Sequence, residues 1–446
     1  MPRDLMSRVF TTTSASNIPS NHYALCGLWD FAGQKEFYAT HQAFLTNSAI
    51  YLVVADMKDD ISKQDASQYS ADFRNVGEYV DFWFDTIHCH RSVEPPEDEP
   101  FNEFIDPPVI LVLTGKDKFG EETIENTLIE ERKTKIQTQL DMVLGDQHKY
   151  HHLRDIICLS NTTDPDVKFV ELQQKISSII LGMAHWGQHL PLKWILLEHL
   201  IEINKTDGNN FINFSDMENL AKHNDINMKD IDEVKLFLRF QHEVGNVIYF
   251  EDIQDFIILN PKWLVDAFRC LVSDKIDGRL QHRTDWTKFK QNGTISESLI
   301  TELFKSKCGN QFLDQRENLF KVMEKFDILV KIAETSSYIM PSMMTPVLYD
   351  EVCTLIGIKQ PNCKRSSWLC LKFSFLPPAY FHHVSVWFIK EYESSKVVYK
   401  THSLALFRGI CVFDIDSKSG CEKILVTMSK DTIAIQLLSF QKERQN

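Results

Sequence analysis

Three apolar runs constrain this chain more than anything else in it. "AIYLVVADM" (49–57), "PVILVLTG" (108–115) and "DIICLSNTT" (155–163) are strand-length and nearly continuous in apolar residues. A strand that is apolar at successive positions is one buried on both faces. Between the runs lie helical stretches at 66–90 and 121–144, with a third at 165–184. Strands of this kind alternating with helices predict a parallel sheet covered on both sides. "YALCGLWDF" (23–31) reads as one more strand. It is followed by a helix in "KEFYATHQAFL", where Phe37, His41, Phe44 and Leu45 have helical spacing.

From about residue 186 the rhythm changes. Helices are expected at 191–204, 215–223 and 229–244, then two short strands in "VIYF" and "DFIILN". In "NPKWLVDAFRCLV", Asn260 is placed to cap a helix that starts at Pro261, with Leu264, Phe268 and Leu271 as its apolar stripe. Helices at 296–305 and 313–326, then "ILVKI" and "SYIMP", give a helix–helix–hairpin pattern like a winged helix, without a basic recognition face. Past 365 the chain is strand-rich, with a single helix at 378–391, so an antiparallel α+β layer is expected. The predicted organisation is an irregular segment 1–22, an α/β unit 23–185, a helical unit 186–350 and an antiparallel-sheet unit 351–446.

Charge narrows the partners. Lys and Arg number 48 against 62 acidic residues, a net charge of −14, which argues against nucleic acid and anionic membrane. No apolar run reaches the ~18 residues that cross a bilayer, and the N-terminus lacks the apolar core of a secretory signal. The ten cysteines form no C-x-x-C pair and several sit in apolar runs, so most are expected as buried thiols of a reducing, cytoplasmic protein.

Three loops carry candidate chemistry. In "LWDFAGQKEF", Asp30, Gly33 and Gln34 follow a strand and precede a helix. Enzymes that hydrolyse GTP place D-x-x-G there, with Gln orienting the attacking water. Thr114 and Asp117 stand just past a buried strand, where T-x-x-D reads guanine, with Lys116 between them, and Ser160 follows the next buried strand. Each has a plainer reading: a capped strand-to-helix turn for Asp30 and Gln34, and a turn with a solvated Lys–Asp pair for Lys116 and Asp117. The three loops together, in the right order, are the stronger signal.

These stretches, with "FWFDTIHCH", "FLRFQHEVGNVIYFEDIQDFIILNPKWLVDAFRCLV", "YIMPSMM" and "FLPPAYFHHV", resemble the Roc–COR tandem of ROCO proteins over roughly 23–440. That family includes leucine-rich-repeat kinases and death-associated protein kinase. The resemblance implies a Ras-like Roc domain, then COR-A and COR-B, binding of GTP or GDP with Mg²⁺, and association through COR as a homodimer. It makes Asp30 the magnesium-side carboxylate, Gly33 the γ-phosphate contact, Gln34 the catalytic position and Thr114 with Asp117 the base loop. The 446 residues depart from the family at one point, for no G-x-x-x-x-G-K-[ST] occurs in them. Without its lysine and backbone amides a triphosphate is not gripped. The expectation is a scaffold with an incomplete GTPase half and no bound cofactor. The alternative is a GTPase whose phosphate loop lies in a longer product, linked there to a kinase or other effector.

Three further features take plain readings. His88-Cys89-His90 is a helix end rather than a metal cluster, since adjacent helical residues diverge. Trp263 and Trp368 are expected in the core, and "EPPEDEP" (94–100) as a solvated loop. No kinase signature occurs.

Overall fold

The computed structural model describes residues 27–31, 41, 44–57, 76–91, 104–119, 122–144, 148–183, 186–253, 255–272, 281–308, 311–332, 337–373, 376, 378–399, 402–416, 420–429 and 431–441. The expected segment 1–22, the acidic loop 94–100 and most of the helix after Asp30 lie outside them.

The three apolar runs form strands β1 (Tyr51–Asp56), β2 (Val109–Thr114) and β3 (Leu153–Cys158), parallel in that order. The intervening helices are α1 (Val76–Arg91) and α2 (Glu122–Leu144), and α3 (Asp166–Gly182) follows β3. One sheet face is closed. Val53 and Ala55, Leu111 and Leu113 pack with Val80, Phe84 and Ile87 of α1 and Ile136 and Leu140 of α2. The helical spacing of those residues is why these segments are helices here.

Among the described residues the other face is only half covered. Ile110 and Val112 meet Leu172, Ile176 and Ile179 of α3, none of which is fully buried. Leu52 and Val54 of the edge strand β1 stay 38% and 50% exposed. The continuous apolar run of β1 thus predicted a two-sided burial that the described residues do not supply. Of the strand expected at 23–31, only Gly27–Phe31 are described, and they do not have strand conformation.

Residues 186–346 build two helical cores. In the first, α4 (Leu192–Thr206), α5 (Phe214–Ala221) and α6 (Ile231–Glu243) pack Leu197, Met217 and Phe237 together. Asn213 and Asp230 cap α5 and α6, accepting hydrogen bonds from the backbone N–H groups of Asp216 and Asp232. Strands β4 (Phe211–Ile212) and β5 (Ile257–Ile258) form an antiparallel pair between the two cores.

The second core holds α7 (Pro261–Val272), α8 (Arg283–Asn292), α9 (Glu297–Cys308) and α10 (Arg316–Lys325). Trp263 is buried as expected, and Leu264, Phe268 and Leu271 form the predicted stripe. Strand β6 (Thr294–Ser296) joins the expected hairpin of β7 (Val330–Lys331) and β8 (Ser337–Ile339) in the order β6-β8-β7. Helix α8 and β6 were not expected. Gly293 makes their junction: its φ is 76°, and a Cβ there would sit 2.9 Å from the Met340 carbonyl.

The last unit holds α11 (Tyr349–Ile356), β9 (Cys363–Arg365), β10 (Leu369–Lys372), α12 (Pro378–Glu391) and β11 (Glu393–Ser394). Then come β12 (Lys396–Tyr399), β13 (His402–Leu404), β14 (Leu406–Phe407), β15 (Ile410–Asp414), β16 (Glu422–Met428) and β17 (Thr432–Phe440). The main sheet runs β10-β17-β16-β15-β11 and is antiparallel. Helix α12 covers one face through Phe381, Val386 and Phe388, the last stacked 5.3 Å from Phe413. Helix α11 covers the other through Val352 and Cys353 against Phe407, Val412 and Leu425.

Two expectations are corrected here. Trp368, expected in the core, is 38% exposed, because it precedes the edge strand β10, whose outer side has no neighbour among the described strands. Of the eight described cysteines, Cys270, Cys353 and Cys411 are buried, three are half-buried, and Cys89 and Cys370 are exposed.

Candidate functional site

The carboxyl ends of β1, β2 and β3 lie side by side, and the turns after β2 and β3 meet there. After β2 the chain turns at Gly115, whose φ is +78°. A Cβ there would lie 2.8 Å from an Asp56 carboxylate oxygen, and the positive φ would strain any other residue at this turn. The turn continues into a single 3-10 turn, Lys116–Phe119.

That turn presents Asp117 to solvent while Ser160, fully buried after β3, donates its hydroxyl to Asp117 Oδ1 at 2.8 Å. The bond from Ser160 is the largest cause holding the Asp117 carboxyl below its ordinary range. Ser160 is itself fixed. Its Oγ accepts from the backbone N–H groups of Thr162 and Thr163, each at 3.2 Å, and its N–H donates to Asp164 Oδ2 at 2.8 Å. Asp117 is therefore an ionised, oriented acceptor rather than a free surface carboxylate. Such a group suits a neutral ligand edge carrying two N–H donors.

Lys116 and Thr114 are engaged elsewhere. Lys116 forms an ion pair with Asp164, whose side chain is nearly buried. The Thr114 hydroxyl donates to the Ala55 carbonyl at 3.3 Å. Lys118 pairs with Asp56 at the end of β1. Asp56, Lys118 and Asp164 were not singled out from sequence. A carboxylate ending an apolar strand, in "YLVVAD", was the available signal for Asp56.

Asp30 is exposed, and no hydrogen bond or ion pair between described residues joins it to Thr114, Lys116, Asp117 or Ser160. Gly33 and Gln34 lie outside the described residues. The neighbouring aromatics are ordered around other partners. Trp29 stacks on Phe44 with ring centroids 5.7 Å apart, and Phe44 meets Phe268 of α7 at 6.2 Å. His41 is buried between Phe31 and Trp83, and burial pushes its pKa down to about 4.

His88 Nδ1 lies 3.0 Å from His152 Nε2, whose other nitrogen bonds the Pro107 carbonyl. Among the described residues no group of three or more His, Cys, Asp or Glu could hold a metal ion. No described helix is long and apolar enough to cross a membrane.

Comparison with known proteins adds three findings. Residues 4–84 match the profile described as Ras of Complex, Roc, domain of DAPkinase, and 191–344 match that of C-terminal of Roc, COR-A domain. The first match holds Asp30, Gly33 and Gln34 and ends before Thr114. The chain is 25% identical over 254 residues to cyclic GMP-binding protein C of Dictyostelium discoideum, covering 56% of this chain and 8% of that protein. It is 20% identical over 371 residues to the probable serine/threonine-protein kinase pats1 of the same organism, covering 80% and 10%. The chain thus spans about a tenth of the length of these relatives. Among solved structures, Methanosarcina barkeri Roco2 RocCORdC bound to GDP aligns with a TM-score of 0.45 and 19% identity, over 71% of this chain and 79% of that one.

Proposed function

Because this chain belongs to the Roc–COR (ROCO) family, its Roc and COR-A matches together spanning just over half of it, we propose that it acts as a docking module that self-associates through its COR part. One observation carries the reading. On the α12 side of the main sheet, Leu369 and Leu371 of β10 and Leu437 of β17 are 59%, 45% and 49% exposed. The register Leu369↔Ile435 and Leu371↔Ile433 puts all three on one face, continuous with the core under α12. Tyr380 and Trp387, one helical face apart by seven residues, extend the apolar surface along α12. Contiguous apolar surface of this kind marks an association site, and a second copy of the same strip is its self-complementary partner.

Mass in solution tests this. The full chain at about 50 micromolar is expected as a dimer. Leu371→Lys with Leu437→Lys is expected to return it to a monomer with unchanged far-ultraviolet circular dichroism. A strict monomer for the unsubstituted chain at that concentration sinks the proposal.

A second reading is favoured by the ordered Asp117–Ser160 pair. In it the Roc part reads guanine and belongs to a working GTPase in a longer product, with Gln34 catalytic and Asp30 on the magnesium side. Phosphoryl transfer depends on positioned charge, and the 446 residues include no phosphate loop. On their own they are expected to bind nucleotide weakly and not to turn it over. Fluorescent GDP titration of the chain and of Asp117→Ala separates the cases. Equal affinity for both removes guanine reading, and a segment G-x-x-x-x-G-K-[ST] encoded upstream in the transcript establishes the longer enzyme.

A further inference from the structure

Strand β4 leaves an edge unused. Ile258 of β5 spends its backbone N–H and C=O on Ile248, at 3.0 and 2.9 Å, while the Leu259 N–H reaches back to the Asn210 carbonyl at 2.9 Å. Phe211, opposite Ile258, is therefore a non-hydrogen-bonded position of the ladder. Its own N–H and C=O point away from β5, and no backbone hydrogen bond outside the ladder uses either among the described residues. The edge is not blunted by proline or lysine, the usual devices against strand addition.

This edge faces a cleft of about 590 Å³ between the α4 end, β4 with α5, and α10. Its lining is unusual for its amides. Asn219, Gln315 and Asn318 stand among six Asn or Gln side chains, with Asp216 and Asp255 as the charged members and no Lys, Arg or His. An amide offers a donor and an acceptor on one group, which is what the backbone of an extended peptide needs beside its strand pairing. The two carboxylates form no ion pair among the described residues, Asp216 accepting only from the Asn213 amide at 2.8 Å, so they reject phosphate and other anions and favour a cationic ligand. Asp255 is exposed and none of the described residues pairs with it.

We propose that this COR-A cleft binds an extended, basic polypeptide segment by strand addition to the free edge at Phe211. Main-chain hydrogen bonds hold the segment, the amides line its flanks, and Asp216 and Asp255 select lysine or arginine at alternate positions. The site is separate from the apolar strip of the C-terminal sheet, so it stands or falls independently of self-association.

The probe is a fluorescein-labelled, end-capped heptapeptide of alternating lysine and valine, titrated by anisotropy into the full chain. Three comparisons accompany it: the same peptide N-methylated at alternate residues, a glutamate-for-lysine peptide, and the variant Asp255→Lys. Saturable binding below about 1 mM is expected, with a loss of about tenfold on N-methylation and about fivefold for Asp255→Lys. The glutamate peptide is expected not to saturate. Absence of saturable binding overturns the proposal. So does equal binding of the N-methylated peptide, which would mark diffuse attraction to an acidic protein, and so does indifference to Asp255→Lys.

Discussion

The parallel sheet of β1–β3 and the antiparallel sheet β10-β17-β16-β15-β11 are built from similar apolar strands, yet they are closed differently. Helices α1 and α2 close one face of the first sheet, while Leu52 and Val54 look outward from the other. In the second sheet α12 and α11 close both faces around β14–β16, where Phe407, Phe413 and Leu425 are fully buried, while the α12 face stays open only at its β10–β17 end, at Leu369, Leu371 and Leu437. The difference teaches that apolar composition does not by itself measure stability. What counts is the area removed from water, at about 25 cal/mol per Å², and an outward Val54 contributes little of it.

The sharpest break of the comparison is a pair of substitutions. Phe413→Ala opens a cavity beneath α12 and is expected to cost about 3–5 kcal/mol. Leu52→Ser, on the open face, is expected to change stability by less than about 0.5 kcal/mol. Urea unfolding followed separately in the two regions checks this, and equal costs would show the open face to be covered in solution.

Next in size is a pair of opposed titrations confined to the first region. Burial pushes the Asp85 carboxyl up to about 6, against the pull of Lys149 at 2.7 Å and with a smaller push from Asp81. Its stabilising contribution is complete below its ordinary value and is lost as pH rises through 6. Burial holds His41 near 4, so its contribution is complete above 6.5 and is lost as pH falls through 4. Each is worth about 3 kcal/mol, and between pH 4 and 6.5 they cancel. Asp85→Asn is expected to leave a Roc region that gains stability as pH rises across this window, and His41→Phe one that loses it. Slopes of the same sign in both variants would refute the assignment.

Hydrogen exchange sharpens the same contrast at roughly 2 kcal/mol. Amides of β1–β3 are expected to open more readily than those of β15–β17, since local stability follows the number of apolar neighbours. The reverse order would mean that the half-covered sheet is the better core.

The smallest effect is at the junction. Phe44 links Trp29, beside Asp30, to Phe268 in α7. Phe44→Ala is expected to cost about 1–2 kcal/mol and to raise exchange in α7 without changing β15–β17. No change in α7 would mean that the switch-like loop and the helical unit are mechanically independent.

Much of this architecture was legible because periodicity reports burial. The stripe of Leu264, Phe268 and Leu271 appears where its spacing put it, and the expected helix 378–391 forms as α12. Trp368 misled because an apolar run says that its residues prefer a core, and an edge strand has too few neighbours to grant one. Helix α8 was missed because "RTDWTKFKQN" buries only Trp286 and Phe289, too few to mark a stripe. Strand β6, three residues long, becomes a strand by pairing with β8 more than forty residues on.

By itself, then, the amino-acid order settled most of the strands and helices, and which family signature they carry, since those depend on neighbours a few positions apart. The folded chain alone decided who meets whom. Ser160 orients Asp117, Asp164 takes Lys116, Asp56 closes on Gly115, and Phe211 keeps a bare edge above a ring of amides. Such pairings join groups about 40 to 60 residues apart, and no local pattern encodes them: they form only when the packing of whole elements brings the loops together.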